Sequence, residues 1–378
     1  MIQYFDNCAT TQVDPEVLQI LNKYHTETFF NPSARSTFSM QIANDISVAR
    51  EKLLKLLGGN GELVFTSGGT ESDNLGILGC IRKKSGNIVV TASEHSAVFN
   101  TVTSLANKGY EIRQTKVNSD GSIDIDDFVA HVDNDTLLAC FMHVNNETGA
   151  INDIKRINTL VKNINPNTVT FCDGVQAVGK IPVNLNYLGV DLYTFSSHKF
   201  HCTKGAGALY IKKGVRVNPL VLGGGQEKGI RSGTEYVGAI VAMAKALEIA
   251  NSLLSDNGYI FNNYKNIIRN ALADIPNFKE NCVENCSPAI MSLAFADIKG
   301  EVLLHMLEQY DIVVGTGSAC SSKNKQSRIA KAIGLTPNYS EGVIRISFSK
   351  FNTLDQVKNL AEKLAFCVKS LRKTMLGK

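Results

Sequence analysis

The chain has 378 residues but contains no run of about 18 or more apolar residues, the length that a membrane-spanning helix needs. Its first residues also lack the basic and apolar regions of a secretory signal. Hydrophobic residues make up 44% of the sequence and charged residues 20%, which is typical of a soluble globular protein. We therefore expect a cytoplasmic protein without membrane contact, long enough for two domains with buried cores.

Several kinds of binding site have no counterpart in the sequence. The nine cysteines include one close pair, Cys282 and Cys286, and no second pair at metal-ligand spacing. The seven histidines form no His-Glu-x-x-His arrangement, and no glycine-rich segment leads into the Gly-Lys-Ser/Thr of a Walker loop. We therefore expect no resident metal ion. The net charge of +4 comes from scattered Lys and Arg residues, so direct binding of nucleic acid is not expected either.

Strand-like apolar runs alternate with helical patterns from about Pro15 to Asn251. Continuous apolar strands are typical of a sheet covered on both faces, so this part predicts an α/β fold. After Asn251 the pattern changes to that of a smaller α+β domain. The predicted strands are Leu63–Thr66, Asn87–Thr91, Leu137–Met142, Val169–Cys172, Leu192–Phe195, Gly207–Ile211, Ile290–Phe295 and Val343–Phe348. The predicted helices are Val98–Lys108, Ile151–Ile164, Glu235–Ser252, Tyr259–Ala273 and Leu354–Leu371.

Two nucleophiles stand in very different surroundings. Lys199 ends the run Thr194-Phe-Ser-Ser-His-Lys, directly after a predicted strand. A lysine at such a position suits an imine with an aldehyde cofactor, although a lone lysine is more often a surface residue. Cys320 lies among small and polar residues, which predict a loop. A lone cysteine is usually an inert buried thiol, but such neighbours would form no hydrophobic pocket around it. The pair suggests chemistry that takes sulfur from an amino acid.

Two further segments suit the binding of a phosphate-bearing cofactor. Gly69 and Thr70 open a predicted helix after a strand, where free backbone amides attract an anion. Plain helix capping explains the same residues equally well. Asp173 ends a predicted strand at the edge where α/β sheets bind ligands, and could pair with a protonated ring nitrogen. An isolated Asp at that position is usually a helix cap.

Four other polar residues are weaker candidates when each is taken alone. His95 follows a strand and could stack on a planar cofactor and carry protons, but a structural histidine is the commoner outcome. Asn146 and Gln176 could donate hydrogen bonds to a cofactor oxygen. Arg345 could bind a substrate carboxylate through two parallel hydrogen bonds from its planar guanidinium. The alternative is a surface arginine on an edge strand.

Taken together, these residues resemble the cysteine desulfurases of the NifS/IscS type, in the class V aminotransferase family of fold-type I pyridoxal-phosphate enzymes. The similarity covers essentially the whole chain, and so many matches in order are specific to that family. The matching segments are Asp6-Asn-Cys-Ala-Thr-Thr, Asn31-Pro-Ser-Ala-Arg, Thr66-Ser-Gly-Gly-Thr-Glu-Ser-Asp-Asn, Glu94-His, His143-Val-Asn-Asn-Glu, Asp173-Gly-Val-Gln, Ser196-Ser-His-Lys, Arg231-Ser-Gly-Thr and Gly317-Ser-Ala-Cys.

The resemblance implies a fold, a cofactor and a set of roles. It implies a large domain (residues 13–255) with a mainly parallel seven-stranded sheet that binds pyridoxal 5'-phosphate, and a smaller α+β domain (residues 1–12 and 256–378) that carries the catalytic cysteine loop. The implied catalytic residues are Cys320, Lys199 and His95. The implied cofactor-binding residues are Gly69, Thr70, His95, Asn146, Asp173, Gln176, Ser196, His198, Lys199 and, from the second subunit of a homodimer, Thr234. Asn31 and Arg345 are implied to bind the substrate.

The implied reaction converts L-cysteine to L-alanine and leaves the sulfur on Cys320 as a persulfide. A sulfur-acceptor protein would then take it, either an iron–sulfur scaffold or an enzyme that thiolates tRNA or DNA. Cys320 could also act as a transient iron–sulfur ligand. Three departures from the family pattern, at Cys8, Ser197 and Cys202-Thr203, lie where they could change the cofactor pocket. The alternatives are another fold-type I enzyme, such as an aminotransferase or selenocysteine lyase, and a non-catalytic sulfur carrier.

Overall fold

The structure is a computed structural model that describes residues 2–316 and 327–376, with side chains up to residue 374. Its strands are β1 (Gln3–Phe5), β2 (Glu62–Thr66), β3 (Asn87–Thr91), β4 (Glu111–Thr115), β5 (Thr136–Met142), β6 (Val169–Asp173), β7 (Leu192–Ser196), β8 (Gly207–Ile211), β9 (Phe278–Glu280), β10 (Ile290–Phe295), β11 (Ile312–Thr316) and β12 (Val343–Ser347). Its helices are α1 (Pro15–Thr26), α2 (Thr37–Leu56), α3 (Gly69–Cys80), α4 (Ser96–Ser104), α5 (Ile125–Ala130), α6 (Ile154–Ile164), α7 (Leu185–Leu188), α8 (Val237–Ser252), α9 (Leu254–Leu272), α10 (Gly300–Glu308), α11 (Arg328–Ala332), α12 (Pro337–Ser340) and α13 (Leu354–Leu376).

Within the described residues, seven strands form one large sheet in the order β2-β8-β7-β6-β5-β3-β4. The strands from β7 to β4 are parallel to their neighbours, whereas β8 runs antiparallel to both β7 and β2. Alternate residues of β3 enter different cores: Ile88 and Val90 pack on one face of the sheet and Val89 on the other, all fully buried. The sheet is therefore covered on both faces, and the predicted α/β class is confirmed.

The second sheet has the order β1-β11-β12-β10-β9 and is mostly antiparallel. Its own apolar core includes Phe5, Leu293 and Ile344. Strand β1 comes from the start of the chain and pairs in parallel with β11. The N-terminal residues thus pack with the C-terminal part, although the predicted domain boundaries after residues 12 and 255 stay a prediction.

The differences from the predicted elements have local causes. Strand β4 was not predicted, since it reads Glu-Ile-Arg-Gln-Thr and pairs at the sheet's edge, where only one residue is buried. The predicted helix Val98–Lys108 is α4 followed by a 3₁₀ turn over Leu105–Lys108. Helix α9 begins before its predicted start and α13 ends after its predicted end, because the added segments contain polar residues, such as Asp256 and Lys373, on the exposed side of each helix. Strand β12 is central in its sheet, so the edge-strand alternative for Arg345 is wrong.

No single helix in the described ranges is both long and apolar enough to cross a membrane. Helices α8 and α9 reach the required length and composition only as a joined pair, and they are bent by 63° where they meet.

The packing of the C-terminal part predicts that two glycine-to-alanine substitutions change the stability of the protein in opposite directions. In Gly342→Ala the new methyl group would lie 1.9 Å from the carbonyl oxygen of Phe295, so the start of β12 has to move. We expect a loss of about 1–3 kcal/mol in the free energy of unfolding. Gly258 lies within α9 and a methyl group there meets nothing within 4 Å.

The matched control Gly258→Ala is therefore expected to raise the stability by about 0.5–1 kcal/mol, because alanine favours a helix. Thermal and urea unfolding of both variants measure the two changes. Equal stabilities of the two variants would contradict the close packing at Gly342.

Candidate active site

A cavity of about 390 Å³ lies at the carboxyl ends of the large sheet's strands and extends to β12 of the second sheet. Strands β3, β5, β6 and β7 are parallel, so their carboxyl ends meet at one edge. The loops that follow these strands supply most of the cavity wall. The predicted site residues that line it are Gly69, Thr70, His95, Asn146, Asp173, Gln176, Ser196, His198, Lys199 and Arg345.

Lys199 reaches the cavity from a 3₁₀ turn, Ser197–Lys199, that directly follows β7. Its Nζ donates hydrogen bonds to the carbonyl oxygens of Cys8 (2.5 Å) and Ala9 (2.8 Å). Burial and, to a lesser extent, the nearby Lys180 ammonium together lower the pKa of Lys199 to about 8. An amine with this pKa is partly neutral near pH 7, so it can act as a nucleophile or accept a proton.

Asp173 is the last residue of β6 and is buried beside a second carboxyl group, that of Asp73 on α3. Burial raises the pKa of both groups, and their mutual repulsion raises the pKa of Asp73 further, while His95 and Lys199 oppose the rise at Asp173. Asp173 accepts a hydrogen bond from the amide of Val175 (2.9 Å), and Asp73 accepts one from Thr194 (2.7 Å). Asp173 thus stabilises the turn after β6 through the hydrogen bond from Val175, and it also lines the cavity.

Ligand atoms of Asp73, His95 and Asp173 lie within 4.8 Å of one another, which is a spacing that could also suit a divalent cation. His95 is the N-cap of α4, and its Nδ1 accepts a hydrogen bond from the amide of Ala97 (3.2 Å). Burial is the main cause that lowers the pKa of His95. The neutral imidazole can therefore lie against the face of a planar ring.

Another part of the cavity wall is suited to an anion. Helix α3 begins at Gly69, and the residue before it, Gly68, has no side chain to cap the helix, so the first amides of α3 are available to a ligand. A Cβ at Gly69 would lie 3.0 Å from Val175, and the absence of that atom keeps the helix start open. Ser196 and His198 contribute polar side chains nearby. Plain capping by a side chain, the alternative that the sequence left open, is not what the structure has.

Asn146 and Gln176 lie on neighbouring loops of the cavity wall. Gln176 donates to the carbonyl oxygen of Cys8 (3.0 Å) and accepts from Lys180 (2.5 Å). The Asn146 Oδ1 atom is buried and has no hydrogen-bond partner among the described residues. A buried amide oxygen without a partner costs free energy, so a ligand that donates a hydrogen bond there would stabilise the site.

Arg345 brings a buried guanidinium from β12 to the cavity, with only 6% of the residue exposed. One terminal nitrogen donates to the carbonyl oxygen of Asn146 (2.7 Å), and the other forms an ion pair with Asp6 (2.7 Å). Its Nε is buried and has no partner in the part of the chain that the structure describes. Arg345 is thus held in place by two contacts and still has a donor to offer to an anionic group.

The cavity wall includes charged residues that the sequence reasoning missed, namely Asp73, Glu94, Glu147 and Arg328. Burial raises the pKa of Glu94 to about 8 and that of Glu147 to about 7. Arg328 donates to the carbonyl oxygens of Ala92 and Glu94. The position of Glu94 next to His95 and of Asp73 one helical turn after Gly69 were the signals in the sequence that could have revealed them.

Not every predicted site residue is part of this cavity. Asn31 and Thr234 are exposed and do not line it. Asn31 accepts a hydrogen bond from the amide of Ser33 (2.9 Å) and so orders its own turn. Cys320 lies outside the described residues. Of the departures from the family pattern, Cys8 lines the cavity, whereas Ser197 and Cys202-Thr203 do not. Ser197 instead donates to the carbonyl oxygens of Thr203 and Ala206 in the segment before β8.

Comparison with known proteins gives consistent results. Residues 3–360 match the family model of class V aminotransferases. The chain is 37% identical over 377 residues to a cysteine desulfurase of Nostoc sp., covering 98% of this chain and 93% of that protein. It is 36% identical over 378 residues to the cysteine desulfurase IscS of Clostridium botulinum, covering 98% and 95%. A solved structure of a NifS-like protein superposes with a TM-score of 0.92 at 35% identity, covering 98% of this chain and all of that one.

The environment of Lys199 predicts how its reactivity depends on pH. In the cofactor-free protein, acetylation of Lys199 should follow a titration with a midpoint near pH 8, because burial destabilises the ammonium form. Lys180→Met removes a neighbouring positive charge and should move the midpoint upward. Peptide mapping after competitive labelling measures both, with the exposed Lys213 as the internal reference. A midpoint that stays in place in Lys180→Met would contradict the role of Lys180.

Proposed function

The chain belongs to the class V aminotransferase family and is a pyridoxal-phosphate-dependent cysteine desulfurase, and from this premise we propose how its own residues act on L-cysteine. The observation that carries the proposal is the placement of three groups around one cavity. These are the Lys199 amine with its lowered pKa, the buried Asp173 carboxyl group and the Arg345 guanidinium. The Lys199 amine suits the aldehyde group of the cofactor, Asp173 suits its basic ring nitrogen, and Arg345 suits the carboxylate of the substrate.

The residues around the cavity fit pyridoxal phosphate in their donor chemistry. Lys199 Nζ would hold the aldehyde carbon, and Asp173 would pair with the ring nitrogen. The uncapped start of α3, together with Ser196 and His198, would hold the phosphate. The buried Asn146 Oδ1 atom, which has no partner in the described ranges, would accept a hydrogen bond from the cofactor's phenolic oxygen when that oxygen is protonated.

When bound, pyridoxal phosphate withdraws electrons from the bonds of the substrate's α-carbon. The protein's part is to hold the substrate and move protons. Lys199 Nζ, partly neutral because of burial, can take the α-proton and return it, and the carbonyl oxygens of Cys8 and Ala9 orient its lone pair. His95, kept neutral by burial, provides a second proton acceptor at the cavity wall.

Arg345 binds the carboxylate of L-cysteine in this proposal. Its bond to Asn146 and its ion pair with Asp6 fix the plane of the guanidinium, and its Nε has no partner among the described residues. A positioned, buried guanidinium loses little side-chain freedom when it binds a carboxylate. The substrate's α-carbon is then held at the end of the cavity that Lys199 also borders.

We assign the sulfur-accepting step to Cys320. Both described ends of its segment border the cavity: Gly315 packs against Asp6 and Arg345, and Ser327 donates a hydrogen bond to Glu147 (2.8 Å). Cys320 is four residues beyond Thr316, so the chain allows it to reach about 14 Å from there. The Cys320 thiolate attacks the substrate's sulfur, the carbon–sulfur bond breaks, and the carbon takes a proton to give alanine. The sulfur stays on Cys320 as a persulfide.

A homodimer is proposed on the basis of an exposed apolar surface. Phe29, Phe38, Met40 and Leu222 are each at least 65% exposed, and Phe30 stacks between the rings of Phe29 and Phe38 at 5.2 and 5.0 Å. Large exposed apolar groups usually mark an interface. We infer that a second copy covers them and that Thr234, exposed in a single chain, completes the phosphate site of the other copy. Asn31, next to Phe29 and Phe30, would be buried by the same contact.

We further propose that a protein thiol accepts the persulfide, on an iron–sulfur scaffold or a thiolation enzyme. The support is the name IscS carried by a relative and the position of Cys320 in a polar segment. Labelled cysteine, incubated with the enzyme and each type of acceptor, would show which acceptor gains the labelled sulfur. Transfer to neither, with a labelled persulfide accumulating on the enzyme, would exclude both.

The assignment of Cys320 predicts that Cys320→Ala forms no protein persulfide and no alanine from L-cysteine, because no thiolate is present to take the sulfur. The matched control is Cys367→Ala, which changes a fully buried thiol on α13 and should keep its turnover. Alanine release and persulfide alkylation measure the two outcomes. The cofactor's absorbance should be normal in both variants. Normal alanine formation in Cys320→Ala would refute the assignment.

If Arg345 binds the substrate carboxylate, Arg345→Lys should bind the substrate more weakly. Lysine keeps the positive charge but lacks the planar guanidinium with its paired donors. A hydrogen bond to a charged group contributes about 1.5–3 kcal/mol, so we expect kcat/KM for L-cysteine to fall roughly 10- to 150-fold, mostly through KM. Arg113→Lys is the control, since Arg113 lies on β4, pairs with Glu111 and Asp133, and does not line the cavity. An unchanged KM in Arg345→Lys would contradict carboxylate binding.

A further inference from the structure

A second group of reactive side chains lies outside the active-site cavity, in the connection between β9 and β10. The two strands are paired and antiparallel, so the connection between them turns back on itself. Asn285 adopts a left-handed conformation (φ 47°) at this turn. Cys282 precedes the turn and Cys286 follows it, and the turn brings the two cysteines together.

The sulfur of Cys286 faces a buried ammonium group. Lys265, on α9, is only 3% exposed, and its Nζ lies 3.6 Å from Cys286 Sγ and 2.8 Å from the carbonyl oxygen of Ser287. Among the described residues no carboxylate forms an ion pair with Lys265. A buried ammonium without a counter-charge is costly, and the charge available to offset it is the thiolate of Cys286.

The two thiols have different environments. Cys286 is partly exposed, whereas Cys282 is buried at 1% exposure. The pKa of Cys286 is lowered to about 7, mainly by interaction with the Cys282 thiol and in addition by Lys265. Burial opposes this shift, and so does Glu280, which forms an ion pair with Arg269. The same interaction raises the pKa of Cys282, which keeps its proton. Cys286 is thus the nucleophile and Cys282 the proton-bearing neighbour.

Other polar atoms lie next to the pair. The Ser287 Oγ and Asn281 Oδ1 atoms are buried and have no hydrogen-bond partner in the described part of the chain. The carbonyl oxygens of Thr148 and Ile290 lie 3.8 and 3.5 Å from Cys286 Sγ. Since the sulfur is only partly exposed and closely surrounded by backbone, a small reactant has better access than a bulky one.

We propose that Cys286 and Cys282 form a dithiol site that reacts with hydroperoxides, with Cys286 as the attacking thiolate and Cys282 as the thiol that closes a disulfide. A partly exposed thiolate beside a second cysteine is the arrangement that favours such oxidation. The site does not involve Cys320 or the cofactor, so it stands apart from the proposed sulfur transfer.

The reaction balances with hydrogen peroxide as the oxidant. The Cys286 thiolate attacks one peroxide oxygen, the oxygen–oxygen bond breaks, and the leaving hydroxide takes a proton to form water. Cys286 is then a sulfenic acid. The Cys282 sulfur attacks the Cys286 sulfur, the sulfur–oxygen bond breaks, and the second hydroxide leaves as water with the proton of Cys282. The two thiols lose two electrons, and the peroxide is reduced to two waters.

The test is peptide mapping of the reduced holoenzyme after treatment with hydrogen peroxide at pH 7 and alkylation of the remaining thiols. Both cysteines lie in a single tryptic peptide, residues 280–299. We expect this peptide to become lighter by two hydrogen atoms and to resist alkylation until it is reduced. Cys367, fully buried with a raised pKa, is the internal control and should stay reduced.

Two variants separate the roles of the residues. Cys282→Ser should form no disulfide and should leave a sulfenic acid on Cys286 that dimedone traps. Lys265→Met should slow the oxidation of Cys286 roughly three- to tenfold at pH 7, and the difference should vanish at pH 9, where the thiol is ionised in both proteins. A merely structural role of Lys265 would not give this pH profile. Lys265→Arg keeps the charge and should keep most of the rate.

The proposal is overturned if the wild-type peptide shows no disulfide and Cys286 is oxidised no faster than Cys367. It is also overturned if Cys282→Ser gives no trapped sulfenic acid, a result that does not depend on whether Lys265→Met folds.

Discussion

The active site depends on one buried contact between the two sheets. The guanidinium of Arg345, from the middle of β12, forms an ion pair with Asp6 and donates to the carbonyl oxygen of Asn146 on the loop after β5. A buried guanidinium is costly unless it is paired, so these contacts are needed for the fold as well as for the substrate. Asp6 follows β1 at the start of the chain. Three parts of the protein therefore meet at the Arg345 side chain: the N-terminal residues, the loop after β5, and β12 itself.

Much of the large sheet could be predicted from the sequence, because its strands are buried on both faces and read as continuous apolar runs. Strand β4 could not, since an edge strand needs few apolar residues, and β1 and β9 are only three residues long. The site was predictable in part for a related reason. Lys199 and Asp173 stand directly after strands, so a parallel sheet brings them to one edge, whereas the ion pair of Asp6 with Arg345 joins residues 339 positions apart. No local pattern marks such a pair.

The residues that the sequence reasoning missed share a physical property. Asp73, Glu94 and Glu147 are acidic residues inside the protein, with 1%, 0% and 8% of each exposed. An acidic residue in a sequence is usually interpreted as a surface residue, and its burial becomes evident only when the elements around it are packed. Asp73 is buried where α3 packs on β7 and Thr194 donates to it, and Glu94 is buried where it accepts a hydrogen bond from Thr91 at the end of β3.

These buried acids also shape the electrostatics of the cavity. Asp73 and Asp173 lie close together, and burial and repulsion raise the pKa of Asp73, so a second negative charge beside Asp173 is disfavoured. A ligand that brings a positive charge to Asp173 reverses this balance, and a protonated ring nitrogen does so. The uncapped start of α3, which also lines the cavity, favours an anion. The cavity wall thus offers a partner for a positive charge at Asp173 and a partner for an anion at the start of α3, with the Lys199 amine also lining the cavity, so a ligand with both a basic ring nitrogen and a phosphate group suits it.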